Sequence, residues 1–252
     1  MTFKYLSINA WLGGKLWDNL VNFLKQEDAD IVALQEVYDG EDPKLEKRLR
    51  TLGALKQELP YPYVAFAPSM IDTRDNLNLP WGNAVLSKFP ITAERAIFFD
   101  IPFGEGKTTI ETAEQTPRNM LHTTIAMNNT TLNVFSIHGI WGKDGDDNPR
   151  RLAMSDTIIK HIQNKPRVMI SGDFNVKENT KTVAKLEKHL YNVFKGERTT
   201  SFNMNAKTDP KFATAVVDHL LISNDLTVQE HHQPDVNVSD HLPLIATIEI
   251  IS

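Results

Sequence analysis

No cysteine occurs among the 252 residues. That excludes disulfides, thiolate zinc centres and cysteine nucleophiles. No apolar run approaches the ~18 residues that a membrane-spanning helix needs. Gly/Ser linkers, internal repeats and low-complexity tracts are missing too. The first residues, "MTFKYLSINAW", lack the long apolar stretch and small-residue cleavage site of a secretion signal. A soluble, cytoplasmic monomer without stable membrane insertion is the expectation. An excess of positive charge is also wanting, since 27 Lys and Arg face 32 Asp and Glu for a net charge of -5. There is thus no general attraction to nucleic acid, although a local basic groove remains compatible.

What the chain does have is ordinary hydrophobic content, 41%, and a length that suits one domain over residues 1–252. Short runs rich in Ile, Leu and Val read as strands at 3–8, 30–37, 62–67, 83–88, 91–99, 119–127, 131–137, 167–174, 214–223 and 242–250. Leu16, Leu20, Phe23 and Leu24 recur at helical spacing over 15–27. A second helix is expected over 43–58, opened by Pro43. A third covers 148–162 with Asn148 as cap, and a fourth 178–190. The stretches 68–80, 100–117, 139–149 and 195–211 read as loops. Strands dominate with helices between them, so layered sheets covered by helices are expected.

Several strands end in a polar residue that the hydrophobic pattern does not require. Asn9 follows "YLSI", Glu36 follows "IVALQ", His138 follows "NVFSI", and Asp173 and Asn175 follow "RVMISG". Asp218 interrupts "AVV…LLIS", and Asp240 and His241 precede the last strand. One buried Asp is usually structural. A recurrent set at strand ends instead makes a cluster of oxygen donors and imidazoles wherever those ends converge. Oxygen donors without thiolates favour Mg²⁺ or Mn²⁺. An imidazole beside a carboxylate suits general acid–base work. Together they suit attack of water on phosphorus.

The motifs "SIN" (7–9), "LQEV" (34–37), "GNAVLSKFPI" (82–91), "PRNML" (117–121), "SIHG" (136–139), "GDFN" (172–175), "VDHLLIS" (217–223) and "SDHLPL" (239–244) occur in this order. The chain resembles the endonuclease/exonuclease/phosphatase superfamily, with its DNase I-like fold. That resemblance implies an α/β (α+β) class and a four-layer α/β/β/α sandwich, two mixed sheets covered by helices. It implies a divalent-metal-dependent phosphoester hydrolase, with Mg²⁺ or Mn²⁺ as cofactor and Glu36, Asn9 and Asp240 as metal residues. His241, oriented by Asp218, or else Asp173 would take the proton of the attacking water. Asn175 would help position the nucleophile, and His138 and Arg118 would contact phosphate oxygens. Asn83, Trp141 and Arg151 are candidates for substrate binding. The bland alternatives are loop anchoring for the tryptophan and a solvated loop for the Arg. One departure is Trp11, where some nuclease members carry an acidic residue.

The substrate is a phosphoester, with nucleic acid or a nucleotide first. A lipid or small-molecule phosphodiester, a phosphomonoester, and a non-catalytic binding module are the alternatives. "FGEGKTT" (103–109) lacks the first glycine of a P-loop, since position 101 is Ile101, and reads as a surface loop. "WLGGK" reads as a turn. His231 and His232 read as a solvated loop, and His219 and His122 as packing residues within strands.

Overall fold

The computed structural model describes residues 1–107, 109 and 111–251; Thr108 and Ile110, in the loop expected at 100–117, lie outside them. The strands are β1 (Thr2–Asn9), β2 (Ile31–Tyr38), β3 (Tyr63–Asp72), β4 (Leu79–Ser87), β5 (Ile91–Phe98), β6 (Gly104–Gly106) and β7 (Asn119–Met127). They continue with β8 (Thr130–His138), β9 (Val168–Asp173), β10 (Tyr191–Asn192), β11 (Asp218–Ile222), β12 (Leu226–His232) and β13 (Leu244–Ile250). A seven-stranded sheet runs β12-β13-β1-β2-β4-β3-β6, and a six-stranded sheet β10-β11-β9-β8-β7-β5. Both are mixed. β1 and β2 are parallel, as are β8 and β9. Parallel neighbours need a crossover, and helices supply it: α1 (Trp17–Glu27) between the first pair and α3 (Pro149–Ile162) between the second. A short helix α2 (Thr51–Glu58) shares an apolar cluster with α1, and α4 (Lys181–Leu186) packs beside α3.

Side-chain alternation builds the layers. Phe3, Tyr5, Ile31, Ala33 and Val85 face Leu121, Val134, Met169 and Leu220 across the space between the sheets. The opposite faces pack outward. Leu6, Ile8, Val32 and Leu34 meet Leu20, Val21 and Leu24 of α1, and Phe135, Ile137 and Ile170 meet Met154 and Ile158 of α3. Toward one end the inter-sheet layer turns polar. Gln35 Nε2 donates to Ser136 Oγ at 2.9 Å, and Tyr5 Oη pairs with Ser171 Oγ at 2.6 Å.

Topology gathers the polar strand ends at that edge. The parallel pairs bring together the C-terminal ends of β1 and β2, with Asn9 and Glu36, and of β8 and β9, with His138 beside Asp173. β11 runs antiparallel to β9 and sets Asp218 opposite Asp173.

Several expected boundaries shift. The loop expected at 68–80 is largely strand, because β3 and β4 continue with an offset of register between Pro68 and Met70. The solvated loop expected at His231 and His232 is the edge strand β12, paired with β13. The helix expected from Pro43 starts later, as a 3₁₀ turn at 47–50 leading into α2. The helix expected at 178–190 is confined to 181–186. Thr180 caps its start, and Asp147 accepts from the amides of Lys181 and Thr182. Asn148 caps α3 as expected, accepting from the Arg151 amide. Among the described residues no helix is long and apolar enough to cross a membrane.

Candidate active site

Glu36 reaches the site through a break in alternation. Along β2, Ile31 and Ala33 face inward while Val32 and Leu34 face outward, yet Val37 faces outward as well. One residue is therefore inserted, and the pairing with β4 slips between Leu34 and Val37. Glu36 sits in this bulge with φ of 61°, and the bulge turns its carboxylate toward the sheet edge. The adjoining "WLGG" segment is a left-handed turn, with φ of 55°, 52°, 82° and 100° at Trp11, Leu12, Gly13 and Gly14. A side chain at Gly13 would meet Arg48 O at 1.9 Å. Left-handed Trp11 and Leu12 cost roughly 1–2 kcal/mol each, so something must hold them. The Trp11 amide donates to Asn9 Oδ1 at 3.0 Å, and the Leu12 amide to Glu36 Oε2 at 2.8 Å. Strain stored here fixes the carboxylate.

Asn9 is buried and turns its amide nitrogen to the centre, 3.1 Å from Glu36 Oε1 and 3.3 Å from Asp173 Oδ2. Its oxygen accepts from the Trp11 amide, and its nitrogen orients Glu36. Asp173 is buried. Its Oδ1 accepts from the Asn175 amide at 2.8 Å, while Oδ2 lies 3.5 Å from His138 Nε2 and 3.9 Å from His241 Nε2. Burial pushes the Asp173 carboxyl up to about 6, against the pull of His241. His241 Nδ1 donates to Asp218 Oδ2 at 2.8 Å. Burial alone would lower the imidazole, but Asp218 outweighs it, joined by Asp173 and Asp240, and raises it to about 10. The surrounding carboxylates thus favour the imidazolium form of His241.

The opposite wall is cationic and aromatic. Arg118 is buried, with Nη1 within 3.1 Å of both ring nitrogens of His138. Burial and the neighbouring Arg118 push His138 well below its ordinary value, so a neutral ring accepts from the guanidinium. Trp81 backs both groups, 5.3 Å from the His138 ring and 5.2 Å from the Arg118 guanidinium. Trp81 is thus a buried wall of the site. The Nε of Arg118 is buried and has no hydrogen-bond partner, and an orphaned buried donor beside a polar centre suits an anion. Arg74 stands nearby, its Nε 2.9 Å from buried Asp72 Oδ2 and its Nη2 2.9 Å from the Tyr38 hydroxyl.

Most of the remaining candidates have side chains engaged in other contacts. Asn83 is buried and ties the sheets together, donating to Asn119 O at 2.9 Å and Asn119 Oδ1 at 2.8 Å. Asn175 donates to Gly139 O at 3.2 Å. Trp141 is half-buried in the loop after β8. His219 is buried on the other face of β11, with Nε2 2.9 Å from Val176 O, and His122 stacks on Phe135.

Arg151 corrects the substrate-binding expectation. Its side chain is fully buried. It donates to the carbonyls of Ile140, Gly142 and Asp146 and pairs with Asp144, and so holds the 140–146 loop from inside. Arg151→Met should leave those carbonyls unpaired and lower stability by roughly 2–4 kcal/mol. Chemical denaturation measures this; a raised KM with unchanged stability would instead return Arg151 to the substrate.

The centre also holds residues that strand-end reading passed over. Lys207 Nζ lies 2.8 Å from Asp240 Oδ2, and the Phe202 ring stands 4.6 Å from that of His241. Both come from an irregular segment with no periodicity to mark it. Among the described residues no three His, Cys, Asp or Glu side chains converge as a ready metal-binding group. The donor set still fits a hard cation. Glu36 and Asp240 offer oxygens, and Asp240 already draws an ammonium to itself.

Known proteins share this fold. The model of the family described as "Endonuclease/Exonuclease/phosphatase family" matches residues 6–241. No curated protein matches the chain by sequence. Among solved structures, an endonuclease/exonuclease/phosphatase from Beutenbergia cavernae superposes with a TM-score of 0.78 at 14% identity, over 100% of this chain and 72% of that one. The human nocturnin catalytic domain, which carries a bound sulfate anion, gives 0.71 at 15% identity over 99% and 94%. A humanized D. rerio TDP2 gives 0.69 at 15% over 98% and 99%. At such identities these structures show the shared fold. With the family model spanning most of the chain, the protein belongs to the endonuclease/exonuclease/phosphatase family, whose members are generally phosphoester hydrolases.

Proposed function

We propose that the chain is a divalent-cation-dependent phosphodiesterase that cleaves its ester by direct attack of water on phosphorus. The carrying observation is the line Asp173–His241–Asp218 set against a buried Arg118 with an unused donor. Asp173 Oδ2 accepts the proton of the attacking water as the new P–O bond forms and the bond to the leaving oxygen breaks. His241, held charged and oriented by Asp218, faces the negative charge that grows on the phosphate oxygens, and Arg118 does so from the other side. His138 is neutral, so it can pass a hydrogen bond between Arg118 and the substrate. Glu36 and Asp240 would hold Mg²⁺ or Mn²⁺, with Asn9 fixing Glu36; such an ion, when bound, supplies positive charge to the phosphate. The same reading keeps one domain over 1–252, working as a cytoplasmic monomer on a nucleic acid, nucleotide or comparable phosphodiester.

The test is hydrolysis of bis(p-nitrophenyl) phosphate and p-nitrophenyl phosphate with Mg²⁺, Mn²⁺ or EDTA. The diester should be cleaved with metal and spared in EDTA. Glu36→Gln should need at least about tenfold more metal for half-maximal rate, in line with losses seen around metal sites. Equal turnover in EDTA would remove the metal from the reading. A preference for the monoester would move the substrate to phosphomonoesters, and no turnover of either ester would leave a binding module.

A further inference from the structure

Asp240 already has a cation. Lys207 Nζ stands 2.8 Å from its Oδ2, and the Asp240 side chain is only 5% exposed. The loop that delivers Lys207 is fixed at its base. The Asn203 amide donates to Asp240 O at 3.0 Å, and its side chain to Ser239 O at 2.9 Å. Phe202 bridges to His241, and the Lys207 amide closes a turn on Asn203 O at 2.9 Å. The ammonium lies 5.9 Å from the Phe202 ring and 5.4 Å from the Phe212 ring, whose faces attract a cation. Its charge is also felt by Glu36 and Asp173. Lys207 is therefore the protein's own counter-charge to Asp240, with Glu36 and Asp173 close enough to act on it electrostatically.

With a divalent ion at Glu36 and Asp240, as proposed above, this contact meets a rival for the same carboxylate. A metal ion bound by a carboxylate sits roughly 2 Å from its oxygen, and an ammonium hydrogen-bonded to the same group would face it at a repulsive distance. The lysine stem is flexible, and its side chain is 32% exposed, so a route away is open while the loop base stays put.

We propose that Lys207 is a built-in competitor for the divalent cation, occupying Asp240 until a metal displaces it and so raising the metal concentration that the centre requires. The metal-free protein is spared the mutual repulsion of Glu36, Asp173 and Asp240, and the bound metal must replace an internal ion pair rather than water alone.

Mn²⁺ binding, followed by the electron paramagnetic resonance signal of the free ion, tests this without reference to turnover. Lys207→Gln and Lys207→Met should each bind Mn²⁺ about tenfold more tightly than wild type, a change of about 1.4 kcal/mol. The methionine variant keeps an apolar stem against the phenylalanine rings and so guards against loss of the loop. Lys207→Arg keeps the charge and should stay near wild type. In EDTA the Gln and Met variants should melt below wild type, and saturating Mn²⁺ should close that gap. Unchanged or weaker Mn²⁺ binding in both neutral variants, with binding weakened in Glu36→Gln, would overturn the role of Lys207 alone. Full Mn²⁺ affinity in Glu36→Gln would place the ion elsewhere and overturn both readings.

Discussion

Replacing Asp173 by asparagine is expected to lower kcat on a phosphodiester by about 10³-fold, within the range of a lost general base, and to raise the melting temperature at pH 8. The two effects share one cause. Burial holds the Asp173 carboxyl at about 6 although its ordinary value is 3.8. A base with that value is ionised at neutral pH and still takes a proton readily, which is the compromise a proton acceptor needs. The same burial makes its charge a burden on the fold. Because the folded value is raised, the folded state binds more protons than the unfolded state between pH 4 and 6, so stability falls as pH rises through that window. Asparagine is neutral throughout. The melting temperature of the variant should match wild type near pH 4 and exceed it at pH 8, while the limb near pH 6 disappears from the pH–rate profile. Retained activity within tenfold of wild type, or the same limb removed by His241→Asn alone, would hand the proton to His241.

Legibility in the sequence followed a physical rule. Asn9, His138, Asp173, Asp218, Asp240 and His241 each break or end an apolar run, and parallel pairing of β1 with β2 and β8 with β9 brings such ends together. A polar residue where an apolar one is due is visible without coordinates. Arg151 was misread for the same reason in reverse. It stands in a charged stretch that looks solvated, yet its guanidinium is the internal brace of the loop. β12 was hidden because an edge strand carries polar residues on its open side, and "VQEHH" shows no clean alternation. The bulge at Glu36 leaves no mark either, since no glycine announces its positive φ. Lys207 was out of reach of any local pattern. Its partner Asp240 is distant in the chain, and only the folded loop base at Asn203 brings them together.

The largest structural effect is expected at Asp218. Asp218→Asn keeps the shape and an oxygen that can accept from His241 Nδ1, but it removes the charge that lifts His241 to about 10. Breaking a buried ion pair from one side costs roughly 3–5 kcal/mol. At about 2–4 °C per kcal/mol for a chain of this size, the melting temperature at pH 6 should fall by roughly 10 °C. The pH dependence identifies the cause. A histidine whose folded value is raised above its unfolded value of 6.5 contributes stability that is complete below pH 6.5 and lost as pH climbs through about 10. The gap between variant and wild type should accordingly be wide at pH 6 and narrow by pH 10.5. Following the His241 ring protons by NMR should show its titration midpoint drop by more than one unit, and kcat should fall at least about 10²-fold as the imidazolium is lost. An equal loss of stability at both pH values would mean that Asp218 acts through packing, and His241 would then owe its charge to Asp173 and Asp240 instead.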